Sequence, residues 1–74
     1  MTAPPVGNHL RRLRFEHGGL SQEALARRVG VTRQTIIAIE GGRYAPSLEL
    51  AMRLARSFDL SVDEVFFWTG GGKD

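Results

Sequence analysis

Arg33 and Gln34 stand side by side between Thr32 and Thr35, so four consecutive residues offer a guanidinium, a carboxamide and two hydroxyls. A guanidinium can donate two parallel hydrogen bonds to guanine O6 and N7, and a carboxamide can pair with adenine N6 and N7. Each such two-point contact discriminates against a wrong base by about 1–3 kcal/mol. Two long, flat, hydrogen-bonding side chains at one spot therefore suit the reading of base edges, provided that they project from the exposed start of a helix. Other chemistry is poorly supplied. Cysteine is absent, which excludes disulfides and thiolate metal sites. His9 and His17 lack an accompanying Asp/Glu cluster, so no metal site is expected. There is no nucleophile with a base and an orienting group, and GGL and GGGKD are too sparse to be nucleotide-binding loops. The reading is of a protein that is not an enzyme, has no catalytic residue and uses no cofactor.

The elements that must hold Arg33 and Gln34 are legible in LSQEALARRVGVTRQTIIAIE, residues 20–40. Ser21 caps a helix whose first turn carries Glu23, where a carboxylate favours the free backbone amides. Leu25 and Val29 point inward, Ala24 suits a close helix approach, and Arg27 and Arg28 are the more exposed members. Gly30 permits a positive φ, Val31 plugs the angle between two helices and Thr32 caps the second. Ile36 and Ile39 must face the core, which turns Gln34 and Ala38 outward and leaves Ile37 at the margin. Two short helices joined by such a turn form a helix-turn-helix, and the expectation is sequence-specific binding to double-stranded DNA.

Around this unit the spacing predicts three further helices. Pro4, Pro5 and Gly7 keep the first residues irregular, and Asn8 caps a helix with Leu10 and Leu13 inward, joined by His17 or Val6. Gly18 and Gly19 stop it. After the turn GGRYAP, Ser47 caps a helix with Leu48, Ala51, Leu54, Ala55 and Phe58 inward and Leu50 at the boundary, which Asp59 terminates less comfortably than glycine would. SVDE at 61–64 has capping-box spacing and predicts a last helix from Val62 to about Trp68, with only an ambiguous strand signal at 66–69. The expected fold is all-α, a compact five-helix bundle containing a helix-turn-helix. Its expected bounds are a flexible N-terminus at 1–7, a DNA-binding domain at 8–68 and a flexible tail at 69–74.

NHLRRLR, LSQEALARRVGVTRQTIIAIEGGR and PSLELAMRLARSFDLSVDEVFF together resemble the Cro/repressor-type, or XRE-like, helix-turn-helix family of regulators, over roughly Asn8 to Trp68. The resemblance implies that the bundle is of the lambda-repressor-like type, with base reading by Arg33, Gln34 and Ala38 and with Thr35 touching a phosphate or base. Ala38 is too short to hydrogen-bond, but its methyl suits the C5-methyl of thymine, as does neighbouring Ile37. It further implies that Gln22, at a helix start, binds a phosphate together with the helix-end amides. Arg43 is a second phosphate ligand, Tyr44 can add its hydroxyl, and Arg11 and Arg27 are weaker candidates. Arg14 and Glu40 resemble a family ion pair that ties the first helix to the reading helix, with Arg14 able to turn a donor toward a phosphate. Gly19 is an extra residue relative to the commonest spacing, and Gly41 stands where a polar or basic side chain is common.

A 74-residue chain with 42% hydrophobic and 24% charged residues has room for one small core. Net charge is only +2, but residues 1–43 hold seven arginines against three glutamates, while residues 44–74 hold three basic and five acidic residues. The first half is thus the candidate face for phosphates. Neither a secretory leader nor a membrane span is evident, which implies a cytoplasmic protein, with no small-molecule effector. One such domain covers half an operator, so a homodimer on palindromic DNA is expected, with Phe66, Phe67 and Trp68 as the apolar material for its interface. A repressor is favoured over an activator. The alternatives are an antitoxin that autoregulates its operon and a protein-interaction module that does not bind DNA, the latter disfavoured by Arg33, Gln34, Gln22 and Arg43.

Overall fold

The structure, a computed structural model, describes residues 3–70. In chain order the elements are β1 (Val6–Asn8), α1 (Leu10–Glu16), α2 (Gln22–Val29), α3 (Arg33–Glu40), α4 (Leu48–Arg56), α5 (Val62–Val65) and β2 (Phe66–Trp68). Five helices surround one core, to which every helix contributes. Leu10, Leu25, Ile36, Leu54, Ala55 and Val65 are fully enclosed, and Leu13, Ala26, Val29, Ile39 and Phe58 are nearly so. These residues recur at the three- and four-residue spacing of one helix face, so each helix is short but finds its stability in a shared interior.

The helix starts follow the local signals. Ser21, Thr32 and Ser47 have extended backbones, and their hydroxyls accept from the amides of Ala24, Thr35 and Leu50. Ser61 and Glu64 form the reciprocal capping box. At the start of α1, His9 occupies the cap position, while the Asn8 side-chain oxygen accepts from the Leu10 amide at 3.1 Å. Asn8 therefore serves the end of α1 from one residue further out.

Several expectations are corrected. The last helix ends at Val65 instead of running to Trp68, because residues 66–68 extend into β2 and pair antiparallel with β1, Val6 opposite Trp68 and Asn8 opposite Phe66. Aromatic side chains favour such an extended backbone, and Gly7 makes the pairing possible. A side chain at position 7 would meet the Phe67 ring at 2.6 Å, and that ring also lies 4.7 Å from the ring of His9. The Thr69 amide donates to the Pro5 carbonyl, so regular pairing reaches upstream of Asn8 and past Trp68. The remainder of the two expected flexible ends, 1–2 and 71–74, lies outside the described residues.

Leu48, expected inward, is 73% exposed, and Leu50, placed at the boundary, is buried. The buried stripe of α4 is centred between Leu50, Ala51, Leu54 and Phe58, which leaves Leu48 roughly a quarter-turn away in the uncovered first turn. Ala26 is the buried small residue of α2, whereas Ala24 is only half-buried. His17 is exposed, its ring meeting Phe58 edge-on and its Nδ1 lying 2.8 Å from the Leu13 carbonyl. Of the three aromatic residues in β2, Phe66 packs half-buried against the core, Phe67 covers Gly7, and Trp68 stands 67% exposed.

Candidate nucleic-acid interface

At the start of α3 the Thr32 hydroxyl caps the helix and lies 3.1 Å from the Thr35 hydroxyl, so Thr35 is half-buried and shares the cap. Arg33 and Gln34 follow as exposed side chains with no intramolecular hydrogen bond or ion pair among the described residues. On the opposite edge Ile36 and Ile39 are sealed into the core. Gly30, at φ +78, lets α2 end and donate its own amide and that of Val31 to the Ala26 carbonyl, which sets the angle at which α3 leaves the turn. Ile37 and Ala38 are half-buried along the margin of the outward face.

The far end of α3 is held on three sides. Glu40 accepts from Arg14 Nε at 2.7 Å and Arg14 Nη2 at 3.0 Å, in a two-point pair whose side chains are 13% and 8% exposed. The Gln22 amide donates to the same carboxylate at 3.1 Å. Asn8 donates to the Ile39 carbonyl at 2.9 Å, which links β1 to the last turn of the helix. Gly42, at φ +76, then closes the helix with Arg43 N–H donating to Ala38 and Gly42 N–H to Ile39, the paired bonds of a left-handed helix stop. That stop fixes where the exposed Arg43 and Tyr44 leave the helix.

Between α1, the start of α2 and α3 lies an open cleft of about 780 Å³. It brings together Arg11, Arg14, Gln22, Arg33 and Ile37 from the expected site, with Glu40 at its wall. Gln34, Thr35, Ala38, Arg43, Tyr44 and Arg27 lie outside it. Arg27 is fully exposed and only loosely paired with Glu23 at 3.7 Å, an arrangement that leaves its side chain free to move. Arg14 is the least free of the arginines, because every guanidinium nitrogen donates within the protein, the third to the Leu20 carbonyl at 2.9 Å. Its principal task is to hold α1 against the end of α3.

Two contributors are not visible in the sequence reading. The second link made by Asn8 joins residues far apart in the chain, for which no local signal exists. Phe15 lines the cleft while 66% exposed. The signal for Phe15 was present, since it falls off the Leu10–Leu13 stripe on a helix that otherwise presents charge.

No group of three or more His, Cys, Asp or Glu side chains among the described residues is placed to hold a metal, and no described helix is long and apolar enough to cross a membrane. Residues 10–65 match a family model described as Helix-turn-helix. Over 61 residues the chain is 48% identical to an uncharacterized HTH-type transcriptional regulator of Methanocaldococcus jannaschii, a match covering 82% of this chain and 91% of the relative. It is 61% identical over 49 residues to an uncharacterized HTH-type transcriptional regulator of Methanothermobacter thermautotrophicus, covering 65% and 71%. With YgzD of Bacillus subtilis, also an uncharacterized HTH-type transcriptional regulator, it shares 47% identity over 60 residues, covering 81% and 89%.

Proposed function

The chain belongs to the helix-turn-helix family of transcriptional regulators, and from that premise we propose that it is a repressor that reads a palindromic operator as a homodimer. The observation that carries this reading is the division of α3, whose Ile36 and Ile39 edge is locked into the core while Arg33 and Gln34 stand exposed at its start, without a partner among the described residues. In this mechanism the start of α3 enters the major groove. Arg33 addresses guanine and Gln34 adenine, while the methyl groups of Ile37 and Ala38 meet the C5-methyl of thymine. Thr35 reaches a base or an adjacent phosphate.

The backbone is clamped on both sides of the groove. Gln22 spends one N–H on Glu40, which orients its amide beside the free amides at the start of α2 and leaves a second N–H for a phosphate oxygen. Arg43 takes a phosphate beyond the other end of α3, with Tyr44 beside it, and Arg11 and Arg27 add charge at longer range. The exposed Phe67 and Trp68 supply the surface by which two protomers associate, placing two reading helices on half-sites about 34 Å apart.

Selection of binding sites from random duplexes with purified protein tests this reading. The expected product is a two-fold symmetric site with thymine enriched inside each half-site, bound by two chains. Replacing Arg43 by alanine is expected to weaken binding to every duplex and to reduce the slope of log affinity against log salt by about 0.9. Recovery of no preferred sequence overturns the proposed operator reading.

A further inference from the structure

Phe15 is the only exposed large hydrophobic residue in the lining of the cleft, and at 66% exposure its ring serves no core. The helix that carries it is nevertheless held in place. The preceding residue, Arg14, is pinned to Glu40. The ring therefore projects from a helix whose placement is set against α3. It lines the cleft together with Arg33 and Ile37, and a second, smaller depression is lined by Phe15 with Arg11 and Arg12. Cationic side chains on both sides draw a phosphate strand into this space, and the part of such a strand with an apolar surface is the sugar.

We propose that Phe15 is a DNA-contact residue that packs against a deoxyribose of the strand whose phosphate is held by Gln22, with the charge of Arg11 alongside. The inference rests on the DNA-binding reading above and adds to it an apolar backbone contact made from outside the helix-turn-helix. Such a contact contributes affinity without sequence preference and without displacing counterions.

The test compares wild type, Phe15→Ala and Phe15→Leu on the selected operator duplex and on a random duplex, each across a salt series, with the melting midpoint measured alongside. The expected result for Phe15→Ala is a loss of about five- to tenfold on both duplexes, an unchanged salt slope and a melting midpoint within a few degrees of wild type. Phe15→Leu is expected to recover most of the affinity, because sugar packing needs apolar area more than an aromatic face. Unchanged affinity for Phe15→Ala overturns the proposal, and so does a loss confined to one base pair, which would make Phe15 a base reader. If wild type itself binds neither duplex at low salt, the DNA-binding reading fails. If wild type binds and Phe15→Ala matches it, only the role of Phe15 fails.

Discussion

The two ends of α3 are built on opposite plans. At its start Arg33 and Gln34 have no partner among the described residues, whereas at its finish Glu40 is nearly enclosed and meets Arg14 and Gln22, and the Ile39 carbonyl receives Asn8. A side chain that must exchange water for a base edge cannot also be committed to the protein. The helix that carries it must in turn be held where its own movement does not disturb the reading. Separating the two tasks by two helical turns lets a small domain combine a rigid scaffold with the exposed surface proposed to read bases.

Removing Glu40 is expected to have the largest effect, because the Arg14 guanidinium would be left in place without its counter-charge. Glu40→Ala should lose about 3 kcal/mol of folding stability, lowering the melting midpoint by roughly 10–20 °C for a domain of this size. A midpoint unchanged within error would show that the finish of α3 does not need this anchor. Arg33→Ala probes the other end and should leave the thermal transition in place. Its expected cost is about 1–3 kcal/mol of discrimination at a single base pair, read by competition among operator variants. Equal losses on specific and random duplexes would instead make Arg33 a phosphate ligand and weaken the contrast between the two ends.

The smallest effect is expected away from both ends. Asp59 ends α4 with φ +59, a left-handed conformation that costs a side chain and costs glycine nothing. Asp59→Gly should stabilise the fold by about 0.5 kcal/mol, after the added backbone entropy of glycine is set against the relieved strain. DNA affinity should stay the same, so a change in operator binding would reveal that α4 is coupled to the reading helix.

What could be read from the sequence was governed by chain distance. Ser21, Thr32, Ser47 and the Ser61–Glu64 box were legible because cap and capped amide lie within three residues, and the Ile36–Ile39 edge because one helix face repeats locally. The Arg14–Glu40 pair came from resemblance, and the structure supplies its two-point geometry. The β1–β2 pairing was missed because the capping box at 61–64 starts a helix with no local stop, and the strand that pairs with 66–68, where Gly7 leaves room for Phe67, lies at the other end of the chain. Leu48 was misplaced because its apolar character says nothing about whether a neighbour covers the first turn of α4. At the candidate site, the exposure of Arg33 and Gln34 agrees with the sequence reading. The hydrogen bond from Gln22 to Glu40 and the place of Phe15 in the cleft are products of tertiary packing.

The pairing of β1 with β2 also bears on how the molecule comes together in time. Val6 and Trp68 lie 62 positions apart in the chain, so their union carries one of the largest loop-closure costs available to this domain. Helices capped by their own neighbours can form early, but the grip of Asn8 on Ile39 belongs to a strand that exists only once the two termini have met. The Asn8 anchor on α3 therefore depends on a contact between the two ends of the chain, and opening that clasp returns a large share of chain entropy.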